Sequence, residues 1–113
     1  VARTPIVEAP IVKASAVAPV TTAIDPTNGH QVAFGKARKL LLRLNATFAG
    51  AKTYTLKAGT VGPRIGQGDL VLSLNNVTRY VQVDADRFMQ SDGNLYIDVE
   101  AAATGTIEAL RLA

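Results

Sequence analysis

Short period-two segments, separated by turns rich in Gly and Asn, fill this chain from Gln31 to Leu112. That spacing constrains the fold more than any other feature. Alternation of apolar and polar residues marks a half-buried strand, because successive side chains point to opposite faces. The clearest case pairs Leu40, Leu42, Leu44 and Ala46 against Lys39, Arg43 and Asn45, with Leu41 as the one misfit on the polar side. A helix over 36–46 is the lesser alternative, since Leu and Lys favour helices but Asn45-Ala46-Thr47 offers no continuation.

Other segments read the same way. Gln31 to Phe34 is a short strand, and Thr53 to Lys57 places Tyr54 and Leu56 on one face. Leu70, Leu72 and Leu74 share a face, Val77 to Val83 is a further strand, and Leu95, Ile97 and Val99 oppose Tyr96, Asp98 and Glu100. Phe88-Met89 fits either a brief strand or a helical turn. From Gly105 onward, Leu110 and Leu112 oppose Ala109 and Arg111, which predicts a C-terminus tied into the sheet. Ala58 to Asp69 holds Gly59, Gly62, Pro63, Gly66 and Gly68, a density of breakers that predicts an exposed loop. Connections this short leave no room for repeated crossover helices. The expected class is all-β: a small β-sandwich or jelly-roll-like barrel of about seven to eight short strands.

Residues 1–26 do not fit that pattern. They carry Pro5, Pro10, Pro19 and Pro26, four of the chain's five prolines, and each biases its predecessor toward extended backbone. The segment is nevertheless apolar, with Ile6, Val7, Ile11, Val12, Val17 and Val20. The expected organisation is an extended N-terminal arm over 1–26 and a single β domain over 27–113. An apolar arm on a small domain predicts a grip on a neighbour, so those six residues are candidate partner-binding positions. On this division of labour, deleting residues 1–20 weakens docking more than it weakens folding. The first residue, Val1, suggests either a removed methionine or a longer precursor.

The 113-residue chain has a net charge of +3 and no cysteine, which excludes disulfide and thiolate chemistry. No apolar run reaches the roughly 18 residues of a membrane-spanning helix, and no signal peptide is visible. Lys36, Arg38, Lys39 and Arg43 form the densest basic stretch. It reads first as a solvated strand face and second as a contact for an acidic protein surface. Lys36, Arg38 and Lys39 therefore join the candidate partner-binding set. Without interleaved aromatics the stretch is a poor nucleic-acid track.

Nothing assembles into an active site. His30, the single histidine, follows a turn, which predicts an exposed or locally hydrogen-bonded ring. Asp84, Asp86, Asp92 and Asp98 lack the spacing of a calcium loop, and turn formation by Asp84 and Asp92 with a charge partner such as Arg87 explains them better. Asp25 joins no evident cluster. No Gly-rich phosphate loop is present. Asn45-Ala46-Thr47 and Asn76-Val77-Thr78 match the glycosylation rule incidentally. The expectation is a protein without catalytic residues, cofactor or metal.

Asp86-Arg87-Phe88, the DGNLYIDV stretch at 92–99, and Gly105-Thr106-Ile107 leading to Ala109-Leu110-Arg111-Leu112 resemble small tailed-bacteriophage virion proteins, especially capsid decoration or cement proteins. The resemblance is good over about 30 residues and loose over roughly 80 when His30-Gln31-Val32 and Leu40 to Leu44 are included. It implies a non-enzymatic subunit on the outer surface of a phage head, assembled in the host cytoplasm and reinforcing joints between major capsid subunits. It also implies possible self-association as a homotrimer, with neither specific nucleic acid nor membrane as partner. The alternatives are a tail or connector component, or a surface- or glycan-binding β module. The last predicts exposed aromatics around 58–69, where there are none.

Overall fold

The computed structural model describes residues 3–6, 8–11, 20–34, 39–48 and 50–112, with backbone alone at 8–11, 65 and 112. Ten strands lie among these residues, and they form two sheets. The first takes β1 (Thr4–Pro5), β4 (His30–Ala33), β9 (Asn94–Val99), β6 (Lys52–Leu56) and β7 (Leu70–Leu74), in that order across the sheet. The second runs β2 (Glu8–Ile11), β10 (Gly105–Leu112), β5 (Lys39–Ala46) and β8 (Thr78–Asp84), while β3 (Thr22–Ala23) shares with β2 the edge of β10 that faces away from β5. Neither sheet closes on itself among the described residues. The all-β sandwich therefore stands, and the barrel alternative does not.

Each sheet turns one face inward because each strand alternates. On β5 the inward side chains are Leu40, Leu42, Leu44 and Ala46, all buried, and β10 sets Ala109 opposite Leu42 and Ile107 opposite Leu44. The facing sheet supplies Val32, Tyr54, Leu56, Leu95, Ile97 and Val99. Phe34, Phe48, Phe88, Leu74, Val83 and Ile6 also belong to the core. On β10 Ile107 and Ala109 point inward, and Leu110, on the opposite face, is only half buried. Pairing of Ala109 with Leu42 and of Ile107 with Leu44 fixes that register.

Seven strands, β4 to β10, come from residues beyond 27, and the other three come from the N-terminal segment. There β1 adds parallel to β4 and β2 adds parallel to β10. Between β8 and β9 the chain makes one helical turn, α1 (Ala85–Phe88), so Phe88 belongs to a helix rather than a strand. Asp84 caps it by accepting a hydrogen bond from the Arg87 N–H.

Candidate interaction surface

The sequence-derived partner residues are scattered by the fold. Ile6 is 4% exposed and lies in this chain's own core, which leaves it no free surface to offer a neighbour. Ile11 is in β2, with backbone beside Leu112. Val20 is exposed, and Lys39 is exposed at the start of β5, opposite Asp84 of β8. Val7, Val12, Val17, Lys36 and Arg38 lie outside the described residues. Arg43, from the same basic stretch, pairs with Glu108 at 3.2 Å across the outer face of the second sheet. That pairing removes Arg43 from any free basic track.

A different surface stands out. Among the described strands, β7 and β8 are terminal in their respective sheets, and residues 75–77 join them, so the two edges left without a described partner are neighbours along the chain. An open edge presents unpaired N–H and C=O groups, which proteins usually blunt with charge, proline or a bulge. β7 reads LVLSL and has none of these. β8 reads TRYVQVD, with Arg79 as its only interior charge. Val71 on β7 is 59% exposed and Tyr80 on β8 is 62% exposed, both large side chains with little cover. Alternation made both strands legible in the sequence. Which strands are terminal depends on long-range pairing, so no local signal could have marked these two residues.

Loop 58–69 approaches the α1 region and is held there by backbone. Gly59 and Thr60 donate N–H bonds to the carbonyls of Arg87 and Met89, and Arg64 N–H donates to Asp86 O at 2.8 Å. Arg87 returns hydrogen bonds to Gly68 O and Asp69 O, while Asp69 accepts from the Ala58 N–H at 2.6 Å. That last bond is the main reason the Asp69 carboxyl is held below its usual range. Gly59 and Gly62 permit the contact, since a Cβ on either would run into the backbone of Met89 or Asp86. Val61 stays exposed on this fastened loop.

The densest polar cluster joins the N-terminal segment to the 25–30 turn. Asp25 Oδ1 accepts from the Thr27 and Asn28 N–H groups, and its Oδ2 accepts from Thr4 Oγ1 at 2.5 Å and from Asn28 Nδ2. The Thr4 bond is the largest influence lowering the Asp25 carboxyl. His30 is fully buried; its Nε2 accepts from the Asp25 N–H at 2.9 Å and its Nδ1 lies 3.2 Å from Thr4 O. Burial pushes the ring below its ordinary range. Beside it, Arg3 pairs with Asp98 at 2.7 Å and lies over the Tyr96 ring.

Thr4, His30 and Asp25 are the residue types of a hydrolytic triad, but they are wired differently. Both imidazole nitrogens engage backbone, and the Thr4 hydroxyl donates to Asp25 rather than to His30. This cluster fastens the N-terminal segment to the 25–30 turn, and its hydroxyl is not activated by the imidazole. Among the described residues, no group of three or more His, Cys, Asp or Glu is placed to hold a metal ion. Compared with known proteins, the chain matches no family model, no curated protein and no solved structure.

Proposed function

We propose that this chain is a non-enzymatic structural subunit that docks into a larger assembly, and that the assembly is a tailed-phage head whose outer surface it decorates. The observation that supports docking is the pair of open edges, where two weakly guarded edge strands carry exposed Val71 and Tyr80. A strand added to either edge would satisfy that edge's free backbone groups by main-chain pairing, with Val71 as the apolar contact beside β7 on the outer face of the first sheet or Tyr80 beside β8 on the outer face of the second. The phage assignment draws on the segments that resemble decoration proteins: Asp86-Arg87-Phe88 in α1, 92–99 leading through β9, and Gly105 to Leu112 in β10. All three act as framework, which suits a subunit whose role is attachment. The major capsid protein is the proposed partner, with self-association around a local symmetry axis as a further contact.

Electron microscopy of particles assembled with and without the chain tests the reading. Added density on the outside of the head, reduced by Val71→Lys combined with Tyr80→Lys, is the expected result. Particles that bind the double variant as well as the parent count against the edges. Absence of the chain from the head counts against the assignment.

A further inference from the structure

The sheet ladders fix which backbone groups of β7 and β8 point off the open edges. In β6, Thr53 O accepts from Glu100 N–H and Lys57 N–H donates to Tyr96 O, so the odd-numbered residues of that strand are turned toward β9. Hydrogen-bonding groups alternate sides along an antiparallel strand, so Lys52, Tyr54 and Leu56 bond Leu74, Leu72 and Leu70 of β7. The N–H and C=O groups of Val71 and Ser73 therefore point outward. The same count on β8 starts from Ala46 N–H to Val77 O and turns Tyr80 and Gln82 outward.

The two edges are not equally guarded. Arg79 pairs with Leu44, which places it on the inner face of β8, in line with Val81 and Val83. A strand added there brings its own inward residues against a guanidinium, a common guard on edge strands. β7 has no such guard. Leu70 and Leu72 on its inner face are half buried, Val71 and Ser73 on its outer face are exposed, and none of them is charged. The flanking polar side chains are turned to this chain: Asp69 accepts from Ala58 N–H and from Lys57, and Asn75 accepts from Gly50 N–H.

β7 is also complementary to itself. An antiparallel copy of LVLSL, related by a two-fold axis at Leu72, sets Leu70 against Leu74, Leu72 against Leu72 and Val71 against Ser73. Each of the two Val71–Ser73 pairs then closes two main-chain hydrogen bonds. Leucine meets leucine on the inner face, and Asp69 faces the uncharged Asn75. On β8, the registers centred on Tyr80 or Val81 set Arg79 against Val81 or Val83 of the copy.

We propose that β7 pairs with β7 of a second copy, antiparallel about a two-fold axis at Leu72, joining the five strands of each first sheet into one continuous sheet. The pairing rests on the assembly reading, whose self-contact it specifies. A strand of five residues spans about 17 Å, and the molecule is 24 Å across its shortest axis. Covering that whole depth buries about 800 Å² in total, below the roughly 1,200 Å² at which stable complexes begin. The pair is therefore reversible in solution and gains persistence where an assembly holds copies side by side.

The test is sedimentation velocity on the full-length protein from about 10 μM to about 1 mM, a range suited to weak pairs. The expected result is a shift from monomer to dimer and no further, since a two-fold contact closes on itself. Ser73→Pro removes an outward N–H and leaves the β6 ladder intact, so the dissociation constant is expected to rise at least about tenfold. Gln82→Pro does the same to the β8 edge and is expected to leave the dimer unchanged. Leu72→Cys introduces the chain's only thiol, which meets its own copy at the axis and is expected to close a disulfide dimer on mild oxidation. A parent that stays monomeric, a trimer, a dimer indifferent to Ser73→Pro, one lost equally in Gln82→Pro, or a Leu72→Cys dimer that does not cross-link would each overturn the pairing. Should Ser73→Pro fail to fold, Val71→Lys on the exposed outer face takes its place with the same expectation. The measurement uses no particles, so a failure here leaves head decoration standing, and absence of the chain from the head leaves the pair to be decided in solution.

Discussion

At the scale of single residues, the polar groups inside the sandwich distinguish fastening from misfit. His30 is buried with both nitrogens satisfied, whereas the buried Tyr54 hydroxyl finds no hydrogen-bond partner among the described residues. Loss of water pushes the Tyr54 phenol up to about 12. Its ring packs with Phe48 at a centroid distance of 6.3 Å, so the apolar part contributes while the oxygen carries an uncompensated desolvation cost. Tyr54→Phe is therefore expected to leave stability unchanged or raise it by about 1 kcal/mol, measured by urea denaturation. A loss of more than about 1 kcal/mol would mean the hydroxyl has a partner. Acid acts on the other cluster. Because the folded-state His30 value lies below the unfolded one, stability falls as pH drops beneath the ordinary histidine value near 6.5. Asp25 adds a second loss further down, since its folded value lies below 3.8 and its contribution disappears as the carboxylate is protonated. A pH series of urea midpoints should show both descents, and His30→Gln should remove only the upper one.

At the scale of elements, two attachments hold pieces that alternation alone leaves unplaced. Arg43 on β5 and Glu108 on β10 face each other on the outer side of the second sheet, with Glu108 only 7% exposed. Removing the cation strands a buried carboxylate, so Arg43→Met is expected to cost more than Glu108→Gln, by roughly 1–3 kcal/mol in denaturant melts. Equal costs would show that Glu108 is better hydrated than its burial suggests. The loop over 58–69 gives the second case. Gly62→Ala places a methyl against the Asp86 backbone, so the loop must lift, with an expected cost of about 1–3 kcal/mol and faster exchange at the Arg64 amide. Unchanged exchange there would mean that the loop does not depend on the contact. These cases mark what was legible in the sequence. Period two placed β5 at Lys39–Ala46 and β7 at Leu70–Leu74, because alternation is a local property. The loop was recognisable from its glycines, but not its fastening, since the Asp86 carbonyl that Gly62 approaches is distant in sequence. Asp25 looked solitary for the same reason: Thr4 and His30 reach it through chain reversal.

At the scale of the whole molecule, the chain repeatedly passes from one sheet to the other, and β6–β7 is the one pair of consecutive strands hydrogen-bonded to each other among those described. Non-local pairing of this kind predicts refolding in milliseconds to seconds rather than microseconds. It also alters what the N-terminal segment is expected to do. Composition suggested a tether whose removal spares the domain, but in the structure Ile6 fills the core, β1 extends the first sheet and Arg3 reaches Asp98. Ile6→Ala alone is expected to cost about 2–4 kcal/mol through lost burial and the cavity it leaves. Deleting residues 1–20 removes the same side chain together with the β1 and β2 pairings, so the loss should be at least as large, a fall in Tm of roughly 10 °C or more. Val20→Asp, at an exposed position of the same segment, should leave the melt within about 0.5 kcal/mol of the parent. That contrast separates the two roles of the segment. A truncated chain that melts like the parent would leave residues 1–20 free for the proposed docking role, whereas a large loss shared with Ile6→Ala makes them part of the fold and leaves the β7–β8 edges as the proposed docking surface.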